Sequence, residues 1–336
     1  MASLAVKYRP KTFEDIKGQE NLVKVLKQQI DTRNIKNCYL FVGPSGAGKT
    51  TTARVLANAI NKGKGFPIEI DAASNSGVEN VRTIIDSSNT KSINSEYKIF
   101  ILDECHSFSN TAWQALLKTL EEPSSKSIFM FCTTEVQKIP ATILNRVQRF
   151  DIHKIPLNTI VERLRYICEQ ENFTYEEEAL IHIGKLSNGG MRDAISMMEK
   201  VSILNNSITL KSSVELLDSV DYKTMFELTN NIFDRKSDLV LSKIDELNNK
   251  GKDLKLFLNQ YIEFILDVNK FIILKSFDYI NIPNYYSKDI EYTIKIENSK
   301  DFFLNILKQL IKTKEDTRFE SDIKTSLEIT LLFLCK

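Results

Sequence analysis

The chain has 336 residues, 42% hydrophobic and 26% charged, and its 45 basic and 44 acidic residues leave a formal net charge of +1. That length suits two or three domains and that composition an ordinary soluble globular protein, while the near-zero charge gives bulk electrostatics no vote for nucleic acid, so any DNA site must be a local patch. No run of about 18 uncharged apolar residues predicts a membrane span, Met1 to Lys7 lacks the segments of a signal peptide, and Cys38, Cys105, Cys132, Cys168 and Cys335 are scattered without a C-x-x-C pair, which points to a reducing cytoplasm and away from a zinc site.

Helical spacing comes first, at Leu22, Val23, Leu26 and Ile30, followed by an apolar strand over 38–42. Next stands Gly43-Pro44-Ser45-Gly46-Ala47-Gly48-Lys49-Thr50, which fits the phosphate-loop pattern G-x-x-x-x-G-K-[ST] at every fixed position, with a helical stretch from Thr51 to Ala59 behind it. Glycines let successive backbone N–H groups turn toward a phosphate chain, and the helix N-terminus adds partial positive charge. Lys49 would reach the outer phosphates and the Thr50 hydroxyl would take a place on Mg²⁺; residues 43–51 therefore predict a nucleoside-triphosphate site.

A short strand at 68–70 and a helix carrying Val78, Val81, Ile84 and Ile85 follow. The run 98–102 then ends in Asp103-Glu104. Buried parallel strands read as continuous apolar runs, and their C-terminal ends face the ligand crevice of open α/β sheets. Asp103 would meet the metal and Glu104 would polarise a water, which points to hydrolysis. A helix with Trp113, Leu116, Leu117 and Leu120 is stopped by Pro123, another strand spans 128–132, and a last one lies around 149–152. Alternating β and α predicts an α/β fold with a parallel sheet covered on both faces.

After Pro156 the strand signals stop. Helices are predicted over 158–170, 176–187 and 191–204, the last two separated by Asn188-Gly189-Gly190, and everything readable from 211 to 336 is helical, with breaks at 248–251 and 281–284. The expected domains are 1–156, 157–210 and 211–336.

Further motifs occur in a specific order: Lys7-Tyr8-Arg9-Pro10, then 13–20, then Ile70-Asp71-Ala72-Ala73-Ser74, Ala115 to Pro123, Ala141 to Arg146, and Gly190-Met191-Arg192-Asp193-Ala194. With the phosphate loop and the acidic strand, this order closely resembles the gamma/tau family of bacterial DNA polymerase III clamp-loader ATPases and, more distantly, the small subunits of replication factor C. The motifs cover about residues 4–205; the helical remainder is similar only in length and character.

The resemblance implies an AAA+ domain with a five-stranded parallel sheet, a small helical lid and an all-helical oligomerising collar. It implies that Tyr8, Arg9, Pro10 and Gln19 hold the adenine and that Thr134 senses the γ-phosphate. Arg192 would be a lid arginine touching the phosphates, and Arg146 an arginine finger acting in trans on a neighbour's ATP. ATP and Mg²⁺ are the implied cofactors. The implied partners are a sliding clamp, other loader subunits in a homo- or hetero-oligomeric, pentameric ring, and primer–template DNA gripped through backbone phosphates. Three departures stand out. Residues 61–67 replace a four-cysteine zinc module without one cysteine, so no zinc is expected; Asn145 and Val147 replace the Ser and Cys that flank the finger; and 74–77 lacks a basic residue seen in relatives. The chain ends with the collar-like helices without the long tau tail, and the expectation is a pared-down version, phage-type or from a reduced replisome. The rival readings are a branch-migration or initiator-type motor, a catalytically weak structural subunit of the same loader, and a small-molecule kinase.

Overall fold

A computed structural model of the chain describes residues 3–123, 126–203, 206–217, 220–277, 279–280, 282, 286–294, 299–317 and 323–336. The chain divides into two compact units, residues 1–210 and 211–336.

The first unit opens with α1 (Leu4–Lys7) and α2 (Glu20–Asp31) and then alternates: β1 (Cys38–Val42), α3 (Lys49–Ile60), β2 (Ile68–Asp71), α4 (Val78–Ser88), β3 (Lys98–Asp103), α5 (Asn110–Glu121), β4 (Ser127–Thr133), α6 (Ala141–Leu144) and β5 (Gln148–Asp151). The strands form one parallel sheet in the order β2-β3-β4-β1-β5. Successive side chains of a strand point to opposite faces, and here both faces are apolar. Leu40, Phe100, Leu102, Phe129 and Phe131 join Trp113, Leu116 and Leu120 of α5 and Val81 and Ile84 of α4. Tyr39, Phe41, Ile99, Ile101 and Met130 join Leu22 and Leu26 of α2 and Val55 and Leu56 of α3. Double coverage is why these strands read as unbroken apolar runs. Trp113, the only tryptophan, is 2% exposed, edge-on to Phe108 (5.3 Å between ring centres) and tilted against Phe131 (5.5 Å). The five cysteines are buried free thiols, and burial pushes Cys38 and Cys168 up to about 12.

A second layer of helices comes next: α7 (Leu157–Glu171), α8 (Glu177–Leu186) and α9 (Met191–Ser202). Pro156 caps α7, where a missing N–H costs nothing. Leu164, Ile167, Leu180, Ile183, Met198 and Val201 form its buried faces. The expectation that strands end at Pro156 needs correction: β6 (Thr174–Tyr175) and β7 (Ser207–Ile208) pair in parallel, flanked by bonds from Thr174 N to Asn206 O (3.1 Å) and from Glu176 N to Ile208 O (2.9 Å). Two-residue strands carry no readable periodicity. Residue 204 of the expected third helix lies outside the described residues; the helix stops at Ser202.

Among the described residues the second unit is helical: α10 (Leu210–Leu216), α11 (Tyr222–Phe233), α12 (Ser237–Asn249), α13 (Leu254–Leu274), α14 (Ser287–Ile294), α15 (Ser299–Asp316) and α16 (Ile323–Leu334). α13 is the centre, burying Phe257, Leu258, Tyr261, Phe264, Ile265 and Val268 at i, i+3, i+4 spacing. Asp253 caps it, accepting from Lys255 N (2.8 Å) and Leu256 N (3.0 Å). Phe226 meets Phe264 edge-on at 4.8 Å, and the hydroxyls of Thr229 and Tyr261 pair at 2.9 Å. The break expected at 248–251 is there, with Gly251 at φ 72°, whereas 281, 283 and 284 of the other lie outside the described residues. No helix among the described residues is long and apolar enough to cross a membrane.

Gly43 shows how tightly the sheet edge is built: a Cβ there would lie 2.3 Å from Ile152 O. Gly43→Ala should destabilise the first unit by roughly 1–3 kcal/mol, because a backbone carbonyl cannot turn aside as a side chain can. An unchanged unfolding midpoint in denaturant would contradict this packing.

Candidate functional site

The loop after β1 leaves the sheet with a bond from Gly43 N to Thr133 O (3.2 Å) and returns as α3, capped by Gly48. Gly46 takes φ 71°, a left-handed conformation that only glycine adopts without strain, and a Cβ there would meet Asp193 Oδ2 at 2.8 Å and Gly190 Cα at 3.0 Å. The phosphate loop and the start of α9 are therefore in contact. Lys49 is 6% exposed, yet its ammonium meets only a carbonyl, Pro44 O at 3.1 Å, and no carboxylate pairs with it among the described residues.

Across the cleft, Thr50 Oγ1 donates to Asp103 Oδ2 at 2.8 Å. Glu104 stands after β3 with φ 45°, ψ 41°, an uncommon left-handed conformation for a non-glycine residue of the kind that gathers at functional sites. Its Oε2 receives the Thr134 hydroxyl at 3.3 Å. Thr134 comes directly after the last residue of β4, and β4 lies between β1 and β3, which places the threonine between the loop and the acids.

A cavity of about 210 Å³ collects Ser45 to Thr52, Asp103 and Glu104 from the sheet, Tyr8, Arg9 and Pro10 from the N-terminal segment, and Arg163, Met191 and Arg192 from the helical layer. Arg192 stands in the first turn of α9 with an exposed side chain and no partner among the described residues. The N-terminal segment is fastened to α7 and α9. The Leu4 amide donates to the Glu199 carboxylate (3.1 Å), Lys7 pairs with Glu171 (2.6 Å), and the Tyr8 hydroxyl also donates to Glu171. Burial, then the Glu171 bond, push the Tyr8 phenol up to about 12, so it stays a donor. The same contacts, Lys7 first, hold the Glu171 carboxyl below its usual range.

Other expected site residues lie elsewhere. Gln19 is buried outside the cavity, donating to His153 O (2.7 Å) and accepting from His153 N (3.3 Å), so it ties the N-terminal segment to the chain leaving β5. Gly43 and Pro44 shape the loop without lining the cavity, and Thr134 touches it only through Glu104. Arg146 sits beyond α6, its guanidinium donating to Thr142 O and to the Glu121 carboxylate, away from this chain's cavity. Arg163 was not anticipated: it lines the cavity, donates to Tyr8 O at 3.0 Å and lies 5.1 Å over the Tyr166 ring. Nothing in its helical context separates it from a solvated surface arginine.

Comparison with known proteins places residues 66–156 under the model of the DNA polymerase III delta subunit, and residues 159–201 under that of the ATPase lid domain of DNA polymerase III clamp loader subunits. The chain is 35% identical to DNA polymerase III subunit tau of Bacillus subtilis over 283 residues, covering 78% of this chain and 50% of that one. It is 31% identical to DNA polymerase III subunit gamma of Buchnera aphidicola from Schizaphis graminum, covering 98% and 96%. It thus spans about half the length of the Bacillus relative and nearly all of the Buchnera one. Among solved structures, a Thermotoga maritima RuvB Holliday junction branch migration motor matches with a TM-score of 0.52 at 19% identity, over 67% of this chain and 79% of that one, which shows a shared fold.

Arg163→Leu removes a charge-assisted bond worth about 1.5–3 kcal/mol and should release the N-terminal segment. Amide exchange at residues 4–9 should quicken roughly ten-fold or more while α8 keeps its protection; unchanged exchange would show that Arg163 does not hold the segment.

Proposed function

Given that this chain belongs to the gamma/tau family of DNA polymerase III clamp-loader subunits, we propose that it is an ATP-hydrolysing subunit of a sliding-clamp loader. The observation that carries the reading is Lys49, which lines the cavity with no carboxylate paired to its ammonium among the described residues. A triphosphate would supply the missing charge, and the loop amides and the N-terminus of α3 would add donors. Tyr8, Arg9 and Pro10, at the same cavity, would take the base.

The Thr50 hydroxyl and Asp103 carboxylate form a pair of hard oxygen donors 2.8 Å apart, which fits Mg²⁺ held partly by substrate phosphates. When bound, Mg²⁺ neutralises charge that develops on the phosphates. Glu104 would orient a water and accept its proton. Thr134 would aim Glu104, and Arg192 would join the phosphates to the lid, residues 157–210. Gln19 would act one step back, by fixing the chain beside His153.

Arg146 points away from its own site, which supports action in trans on an adjacent subunit. Residues 211–336 would form a collar, and ATP binding would close a ring, homo- or hetero-oligomeric and pentameric, that opens the clamp and grips primer–template DNA by its phosphates. Such contacts are salt-dependent and blind to sequence. Hydrolysis would release clamp and DNA.

Lys49→Ala should weaken nucleotide binding by about a hundred-fold, the equivalent of losing roughly 3 kcal/mol; wild-type affinity would remove the site assignment. Glu104→Gln should bind ATP normally and turn it over about 10²–10⁴-fold more slowly. Arg146→Ala should leave binding by the isolated chain intact but cost the assembly about 10³–10⁵ in stimulated hydrolysis. Mixing the Glu104→Gln and Arg146→Ala chains is the decisive measurement, because some interfaces then combine a good base with a good finger. Mixed assemblies that show no recovery would sink the trans role.

A further inference from the structure

The turn after β3 contains a histidine not used by the phosphate loop or the proposed metal pair. His106 Nδ1 lies 3.3 Å from Glu104 Oε2 and 3.2 Å from Thr133 Oγ1, and its Nε2 lies 3.4 Å from Glu135 Oε1. The ring is held from three sides. Thr133 Oγ1 is itself fixed by the Glu135 amide at 2.9 Å, and Lys138 anchors the Glu135 carboxylate at 2.9 Å. A carboxylate faces each ring nitrogen, Glu104 at Nδ1 and Glu135 at Nε2.

The oxygen that His106 reaches is the one that receives the Thr134 hydroxyl. Oε2 of Glu104 therefore accepts the Thr134 hydroxyl and lies against the His106 ring, while Oε1 has no protein partner among the described residues. A glutamate has three side-chain torsions, and Glu104 is 35% exposed, so the fold must supply contacts that choose its orientation. The hydroxyl bond and the ring contact on one oxygen do so and leave the other available to a water.

We propose that His106 is a positioning residue for hydrolysis: the edge of its ring and the Thr134 hydroxyl together fix Oε2, so that Oε1 is presented to the attacking water. The Lys138–Glu135–His106 chain braces the imidazole in turn. This rests on the reading of Glu104 as the base.

The test compares H106A, H106N and H106Q with E104Q in the full chain within its loader assembly, measuring kcat and KM for ATP and the nucleotide Kd. Asparagine places its amide nitrogen near the Nδ1 position and glutamine near Nε2. H106A and H106Q should lose about ten-fold in kcat with KM and Kd changed by less than about two-fold, and H106N should recover most of the rate. If E104Q turns over like wild type, the role of Glu104 falls and His106 falls with it. If E104Q is slow but H106A is fast, the His106 inference alone is overturned. Should H106A fail to fold, H106N and H106Q still decide, since equal rates in those two would reduce His106 to filling space.

Discussion

A parallel sheet delivers all its strand ends of one kind to one edge, and everything chemical in this chain depends on that edge. Leu102 lies opposite Phe131, and Val42 opposite Thr133, so β3, β4 and β1 stop almost level. The residues at and just past the three strand ends are therefore brought together without further design: Asp103 and Glu104, Thr134, and the phosphate loop. Keeping three neighbouring strands level requires burying them on both faces, and the aromatic and aliphatic layers do this at about 1.5–3 kcal/mol for each large side chain. That apolar surplus offsets the left-handed backbone at Glu104.

The helical layer of residues 157–210 is joined to the site by contacts of different chemistry. Gly46 meets Gly190 and Asp193 by close approach, and Ile155 N bonds Gly189 O at 3.1 Å. The N-terminal segment is tied to α7 and α9 by charge, through Glu171, Glu199 and Arg163, and Phe13 then enters the core of the sheet. The wall of the cavity formed by Tyr8 to Pro10 consequently belongs mechanically to the helical layer. A change in the tilt of α7 or α9 would alter the room in the cavity as well as the reach of Arg192.

The phosphate loop and Asp103-Glu104 were legible because phosphate and metal chemistry demand particular residue types at fixed spacing. Strands β1, β3 and β4 were legible because burial on both faces forces unbroken apolar runs. The two-residue strands β6 and β7 were not, since a period of two cannot be seen in two residues. Gln19 lay in a recognisable motif, but its partner, the His153 backbone, is 134 positions away and has no sequence signature. Arg163 and His106 escaped for a related reason. Each acts through a backbone or a neighbouring side chain, and only the folded geometry tells such a residue from a solvated one.

The lone indole has an optical consequence. Trp113 is sealed between α5 and the sheet and touches Phe108, the residue just past the Cys105–Ser107 turn that carries His106. Its emission should therefore be that of a dry environment and respond to rearrangement of that turn, while the wall formed by Tyr8 to Pro10 contributes no tryptophan signal. A single native indole stands beside the acidic strand, so events at Glu104 can be followed in unlabelled protein, separately from events at the Tyr8–Pro10 wall.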